Sequence, residues 1–422
     1  IAEGQDVVVI EADEAKAAAV QDRFDCLVIP GNGASPSVLR KAGADEAGLV
    51  LAVTDADGAN VMACHSAKAL GARRTVARVE DADLREVGPG LGVDLIIDAR
   101  ISLVKEVRAL VRYPGVSEVG EFAGGRLVLV GGRVRSGAAF AGTSVSEMRE
   151  SSRGRWVLAA TVRDGHPVPG RGATRVEPGD HALLMVKPTD VPMAVELLGI
   201  EHHRVRRVVV LGGTMIAQMA AEELLRDGYE VVMVEADPKR AAEIARATDV
   251  MVVGGDPTEP ELLERLELGA GDVVVALSGW DEVNLMGCLV AKAVGAAFTI
   301  ARFGRFAVAG VLRDVGIDAT VSSRVAAANE ILRYVRRDRI LSVATFKDTR
   351  ADAMEIEVAP GAPAVGTALR DLDVPAGAVV GGFIRGSEAF LPTGDTVIEA
   401  LDHLVVLAAP GAIEAVEGMF IG

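Results

Sequence analysis

The chain has 422 residues, half of them apolar and a quarter charged, with a net charge of −16. A length prior of ~150 residues per domain gives about three domains with sizeable cores. The acidic balance argues against nucleic acid as the main partner, because phosphate binding needs a basic face. A local basic patch is compatible with this balance, and Arg333–Arg339 (RYVRRDR) is one candidate. Three cysteines (Cys26, Cys64, Cys288) form neither a disulfide framework nor a paired metal spacing, and fit a reducing compartment. No apolar run approaches the ~20 residues that span a bilayer.

The chain opens on DVVVIEAD (Asp6–Asp13), and the same phrase returns 224 positions later as EVVMVEAD (Glu230–Asp237). The correspondence continues without a gap: Asp57 with Asp281, Asn60 with Asn284, Cys64 with Cys288, Lys68 with Lys292 and Arg78 with Arg302. A fixed-offset repeat means one structural unit used twice. Ile1-Ala2-Glu3-Gly4 aligns with Leu225-Arg226-Asp227-Gly228, so copy one begins late in its unit. About 20 residues carrying a first strand and glycine turn are expected upstream of Ile1.

Copy one continues through predicted strands at Cys26–Pro30, Gly48–Thr54, Thr75–Val79 and Asp94–Ile97, alternating with amphipathic helices. Copy two adds the opening strand Arg207–Leu211, a glycine turn, a helical stretch Ile216–Arg226 and the strand Glu230–Glu235. Its later strands are Val250–Gly254, Asp272–Ser278, Thr299–Phe303 and Ala319–Ser322. Alternation of this kind predicts an α/β fold: a duplicated, Rossmann-like doubly wound parallel sheet. Asn60 and Asn284 are read as caps opening the helices Asn60–Leu70 and Asn284–Val294.

Two segments have shorter alternating strands and many Gly and Pro turns: Ser117–Lys187 and Ser342–Leu407, each with one helical piece, Ser144–Glu150 and Val365–Leu372. They also correspond to each other, and each reads as a small α+β domain. The predicted organisation is 1–116, 117–188, a linker at 189–206, 207–341 and 342–422.

The glycine turn is Gly212-Gly213-Thr214-Met215-Ile216-Ala217. In G-x-G-x-x-G the second glycine lets the backbone approach a pyrophosphate. Thr214 holds that place, so the turn either binds nucleotide or only preserves the fold. Glu11-Ala12-Asp13 and Glu235-Ala236-Asp237 close their strands, with Glu11 and Glu235 placed for ribose hydroxyls. An acid there favours NAD(H) or adenine nucleotides over a 2′-phosphate. Asn32-Gly33, Asp256-Pro257, Val53-Thr54 and Leu277-Ser278 fall at carboxyl ends of strands, where ligands sit on open α/β sheets and where turn chemistry also places such residues. Arg78 and Arg302 fit either a phosphate contact or a salt bridge.

No catalytic constellation accompanies these features. The six histidines are scattered: His65 sits on a helix in one copy and is replaced by Leu289 in the other, His181 and His403 occupy matching turns of the small domains in capping or packing roles, and His202-His203 lies in the linker without further metal ligands. No catalytic residue and no metal site is therefore expected.

The order of large and small domains, the phrases VVVIEAD and VVMVEAD, the segments AVTDADGANVMAC and ALSGWDEVNLMGC, and the EILRYVRRDRI stretch at Glu330–Ile340 resemble RCK domains, the regulators of potassium conductance. Two of them in one chain resemble the TrkA family of Trk potassium-uptake systems. The resemblance implies paired RCK_N and RCK_C domains, a homotetrameric ring and no enzymatic activity. It further implies NAD(H) or ATP/ADP as regulatory ligands and a TrkH-like potassium-transporting membrane protein as partner. It places the chain in the cytoplasm, peripheral on the inner face of the membrane. An RCK regulator of another cation transporter, or an NAD-dependent oxidoreductase, are the alternative readings.

Overall fold

The computed structural model describes residues 6–152, 154–163, 166–201, 203–304, 312, 315–335, 340–345 and 352–422. Arg336–Arg339, most of the basic stretch singled out above, lie outside the described residues. The chain divides into two compact units, Ile1–Ser102 with Glu330–Val335, and Leu103–Asn329 with Arg336–Gly422.

The first unit holds β1 (Val8–Glu11), α1 (Glu14–Arg23), β2 (Leu27–Pro30), α2 (Pro36–Lys41), β3 (Val50–Ala52), α3 (Asp57–Leu70), β4 (Thr75–Arg78), α4 (Ala82–Val87) and β5 (Leu95–Ile97). All its strand pairs are parallel, β1 with β2 and β3 with β4 with β5. Helix α5 (Ala99–Arg112) leads out of it.

The second unit opens with an antiparallel five-stranded sheet in the order β6-β7-β10-β8-β9, formed by β6 (Glu118–Phe122), β7 (Leu127–Arg133), β8 (Trp156–Arg163), β9 (His166–Pro169) and β10 (His181–Val186). Helix α6 (Val145–Ser152) precedes β8 and α7 (Val191–Leu197) follows β10, so the expected linker carries a helix of its own. Ser144 opens α6 with a capping box. Its N–H donates to Glu147 Oε2 at 2.8 Å, and the Glu147 N–H donates to Ser144 Oγ at 3.3 Å.

Next comes a six-stranded parallel sheet of β11 (Arg207–Leu211), β12 (Glu230–Glu235), β13 (Met251–Gly254), β14 (Asp272–Ala276), β15 (Phe298–Arg302) and β16 (Ala319–Val321). Its order is β13-β12-β11-β14-β15-β16, the doubly wound order that reverses at β11 and β14. Val208, Val209, Val210, Val273, Val274 and Val275 are buried on both faces, as parallel strands covered by helices require. The covering helices are α8 (Met215–Arg226), α9 (Pro238–Ala247), α10 (Pro260–Glu264) and α11 (Asp281–Ala293), and α12 (Ser323–Val335) follows β16. Arg108 of α5 docks on α8, donating to both Asp227 carboxylate oxygens at 2.8 and 2.7 Å and pairing with Glu223 at 2.8 Å.

A second antiparallel sheet repeats the first. It contains β17 (Ile340–Thr345), β18 (Asp352–Glu357), β19 (Ala378–Arg385), β20 (Glu388–Phe390) and β21 (His403–Ala408) in the order β17-β18-β21-β19-β20, and α13 (Ile413–Phe420) closes the chain. The two small sheets pack against each other through Leu127, Leu129, Leu183 and Met185 on one side and Ala353, Ile384, Val405 and Leu407 on the other. Gly382 makes room for this: a Cβ there would lie 2.5 Å from Leu127 Cδ1. Glu355 Oε2 accepts from the Ala123 N–H across the same contact at 3.0 Å.

Two expectations are corrected. The helix expected over Val365–Leu372 is reduced to one turn of 3-10 helix at Leu369–Asp371. Gly366 sits at φ +83, a left-handed conformation that ends helical hydrogen bonding. Asn60 and Asn284 do not cap their helices, which start three residues earlier at Asp57 and Asp281. Both asparagines are buried, and their side chains tie strand ends together, as described next.

Candidate functional site

The site in copy two is built where β11, β12 and β14 end together. Gly212 turns the chain at φ +93, and a Cβ on it would lie 2.8 Å from Ser278 Cα. Only glycine fits that conformation and that approach. The Gly213 N–H donates to Glu235 Oε2 at 2.6 Å, and the Asp237 N–H to Glu235 Oε1 at 2.8 Å. The Gly213 carbonyl accepts from Gln218 Nε2 at 2.9 Å and Arg240 Nη2 at 2.7 Å. Thr214 caps α8: its Oγ1 accepts from the Ala217 N–H at 3.3 Å and donates to the Leu277 carbonyl at 2.7 Å.

Three consecutive amides, those of Thr214, Met215 and Ile216, meet no acceptor among the described residues. Together with the positive end of α8 they form a cradle for an anion. A nucleotide phosphate fits that donor set. The Thr214 side chain is turned into the protein, so it subtracts one helix-end donor, the Ala217 N–H, without closing the turn.

The remaining expected residues of copy two surround this centre. Leu277 is buried, and the Ser278 N–H donates to Asn284 Oδ1 at 2.8 Å. Asn284 Nδ2 donates to the Ser278 and Arg302 carbonyls at 3.3 and 2.9 Å, fastening the end of β14 to the end of β15. Ala236 is exposed, and Asp237 caps α9 by accepting from the Lys239 and Arg240 amides. Asp256 folds onto its own turn, accepting from the Thr258 N–H at 2.8 Å, and Pro257 is buried beside it.

Copy one repeats several of these devices. Asn60 Nδ2 donates to the Thr54 and Arg78 carbonyls at 2.9 and 2.8 Å, and Asn60 Oδ1 accepts from the Thr54 N–H at 2.9 Å. Glu11 Oε1 accepts from the Asp13 N–H at 3.0 Å, Asp13 caps α1, and Ala12 is exposed. Asn32 Oδ1 accepts from the Ala34 N–H at 2.9 Å, Gly33 follows it in the turn, and Val53 is exposed. Arg78 pairs with Asp55 at 3.1 Å and Glu80 at 2.8 Å. The Glu80 hydrogen bond, set against burial, holds its guanidinium above the ordinary value. No hydrogen bond among the described residues joins Glu11 to Thr54 or Arg78.

Burial pushes the Cys64 and Cys288 thiols up to about 12, which keeps them protonated and inert. Neither small-domain histidine serves as a cap. His181 lies 3.6 Å from Glu118, and His403 lies 3.4 Å from Glu355. Their neighbours Asp180 and Asp402 instead grip Arg163 and Arg385 in matching two-pronged pairs. No cluster of three metal-ligating side chains occurs among the described residues. Among them, no helix is long and apolar enough to cross a membrane.

Sequence reasoning missed Arg240 and Gln218, which hold the turn from behind, and the bracing role of Asn60 and Asn284. The signal for the asparagines was present, since both copies keep them at the same offset. Arg240 has a basic counterpart in Lys16 at that offset.

The TrkA-N domain model matches residues 1–99 and 208–323, and the TrkA-C domain model matches 353–420. A Trk system potassium uptake protein TrkA homolog of Archaeoglobus fulgidus is 32% identical, over 100% of this chain and 96% of the relative. The Trk system potassium uptake protein TrkA of Halomonas elongata is 30% identical over 96% of this chain and 91% of its own length. Among solved structures, the GsuK RCK domain superposes with a TM-score of 0.57 at 16% identity, covering 98% of this chain and 89% of that one. The GsuK channel bound to NAD gives 0.57 at 16% identity over 98% and 74%; these likenesses speak for the fold. With half the chain matched by the TrkA-N model and a relative similar from end to end, the chain belongs to the TrkA family of Trk potassium-uptake proteins.

Proposed function

We propose that this chain is a non-enzymatic, nucleotide-sensing regulatory subunit that gates a TrkH-like potassium-transporting membrane protein. In this reading 1–116 and 207–341 are RCK_N domains, 117–188 and 342–422 are RCK_C domains, and 189–206 joins the halves. Four chains form a ring in the cytoplasm, peripheral on the inner face of the membrane. The ring changes shape when NAD(H), ATP or ADP binds. A ligand does this only through different affinities for the two shapes, and a coupling of ~1–3 kcal/mol per linked pair of sites changes affinity 5- to 150-fold.

The observation that carries the reading is the glycine turn at Gly212–Ile216, with three amides at a helix end that meet no acceptor among the described residues and Glu235 fixed beside it. Bound there, a nucleotide would place phosphate on the Thr214–Ile216 amides and a ribose at Glu235. Glu11, Asn32, Thr54 and Arg78 in copy one, and Asp256, Ser278 and Arg302 in copy two, complete the proposed ligand surroundings.

The test is nucleotide binding by calorimetry, with light scattering and capture of the membrane partner from detergent extracts, each with and without NADH and ATP. Nucleotide-dependent capture by a tetramer supports the reading. A monomer that binds no nucleotide, or one that oxidises NADH with turnover, defeats it.

A further inference from the structure

Copy two differs from copy one at the side of the site away from Glu235. Where copy one has Ala56, copy two has Trp280. Trp280 is 71% exposed, although it is one of only two tryptophans and the other, Trp156, is fully buried. An indole left in solvent at a strand end needs a reason, since tryptophan is highly buried on average.

Its backbone is firmly placed. The Trp280 N–H donates to Ser278 Oγ at 3.2 Å, and Ser278 Oγ donates to the Trp280 carbonyl at 3.1 Å. Ser278 in turn abuts Gly212, and Leu277 accepts from Thr214. The segment bearing the indole is thus joined directly to the glycine turn. Glu235 ends β12 on one side of β11, and the 277–280 segment follows β14 on the other. In a doubly wound sheet these are the two halves of a dinucleotide crevice: the acid takes one ribose, and the second nucleotide lies over the strands beyond the switch point.

The charge around this second half also changes. Asp55 and Glu80, which flank Arg78 in copy one, correspond to Gly279 and Gly304. Asp256 in place of Asn32 returns one acid on the β13 side, and Glu282 in place of Gly58 returns another in the first turn of α11. Beside β14, copy two has therefore lost the two carboxylates that flank Arg78, gained Glu282 one turn into the next helix, and gained an aromatic ring.

We propose that Trp280 is the stacking platform for the second ring of a dinucleotide, so that copy two takes NAD(H) across the β11–β14 boundary, with nicotinamide on the indole. This rests on the nucleotide-sensing reading above. Base–aromatic stacking is sequence-tolerant but requires a ring, which separates this role from phosphate or ribose binding.

The experiment uses the full chain. NADH and ADP are titrated by calorimetry into wild type, Trp280→Ala, Trp280→Phe and Glu235→Ala. Energy transfer from tryptophan to NADH is read as the difference between wild type and Trp280→Phe. Trp280→Ala should weaken NADH at the Glu235-dependent site by about five- to a hundredfold, Trp280→Phe should hold it within a few-fold, and ADP should be unaffected by either. Most of the energy transfer should vanish in Trp280→Phe. Unchanged NADH affinity in Trp280→Ala, with binding still lost in Glu235→Ala, overturns the role of Trp280 and leaves nucleotide sensing standing. No NADH or ADP binding sensitive to Glu235 overturns both. A changed oligomeric mass with unchanged NADH affinity makes Trp280 a subunit contact and also overturns the proposal.

Discussion

Glu235 Oε2 accepts from the Gly213 N–H at 2.6 Å, so the acid at the end of β12 holds the glycine turn after β11 in place before any ligand arrives. The carboxylate is buried and its other oxygen is taken by the Asp237 N–H. Glu235→Ala leaves both amides without their acceptor. It should cost ~1–3 kcal/mol of stability, as unmade buried hydrogen bonds do, and abolish most nucleotide binding in copy two. Glu235→Gln keeps an acceptor and should retain more of the stability than of the affinity. Urea unfolding and calorimetry on the same samples check both.

Gly212→Ala should be worse for the fold. The left-handed φ of +93 and the 2.8 Å approach to Ser278 Cα both exclude a Cβ, and the neighbour is backbone that cannot swing away. The expected loss is at least ~1–3 kcal/mol from backbone strain alone, seen as a lower Cm in urea. A stability equal to wild type would show that the turn relaxes freely.

Asn60→Ala and Asn284→Ala should each destabilise their own copy by ~1–3 kcal/mol, because each removes the buried amide that bonds partly buried carbonyls at two strand ends. Hydrogen exchange should rise at Thr54 and Ser278, whose amides lose their acceptor. Unaltered exchange there would refute the bracing role.

Acid should loosen α5 from α8. The Arg108 hydrogen bonds hold the Asp227 carboxyl below its usual range despite partial burial. A carboxylate depressed in the folded state stabilises fully above its unfolded pKa of ~3.9. That contribution fades as the pH drops from there through the folded value. Arg108→Met removes the largest cause of the depression, so its acid unfolding should lose most of this component, and its stability should approach wild type once the pH has dropped below the folded value of Asp227.

Glu355→Ala should weaken the contact between the two small sheets, leaving the Ala123 N–H and His403 without this partner. The expected loss is ~1–3 kcal/mol, read as a lower Tm. Glu355→Gln should recover part of it.

The large sheet was legible because its evidence is periodic. Strands such as Val231–Val234 are apolar throughout, and an offset repeat aligns them with Val7–Ile10 without a gap. The glycine turn and Glu235 were legible because their spacing is fixed by a β-α-β unit. What escaped was side-chain direction. Nothing in the sequence says that Asn284 turns inward to β15, or that Thr214 turns its hydroxyl to Leu277, since both depend on which neighbours bury them. The lost helix at Val365–Leu372 had a visible warning in Gly366. The same holds for His181 and His403, where the residue that matters in each turn is the preceding aspartate gripping an arginine.

The contact of the two small sheets through Leu127, Met185 and Gly382 has a thermodynamic consequence. Two separate chains meeting through such sheets would part on dilution. Here both are tethered in one chain, at an effective concentration set by the intervening polypeptide. Their association is unimolecular, indifferent to how much protein the cell makes. A pairing of identical faces must also match itself, residue for residue, whereas these two faces answer only to each other. Leu127 on one sheet can meet a glycine on the other, and each half is free to acquire its own sensitivity without unmaking the bond between them.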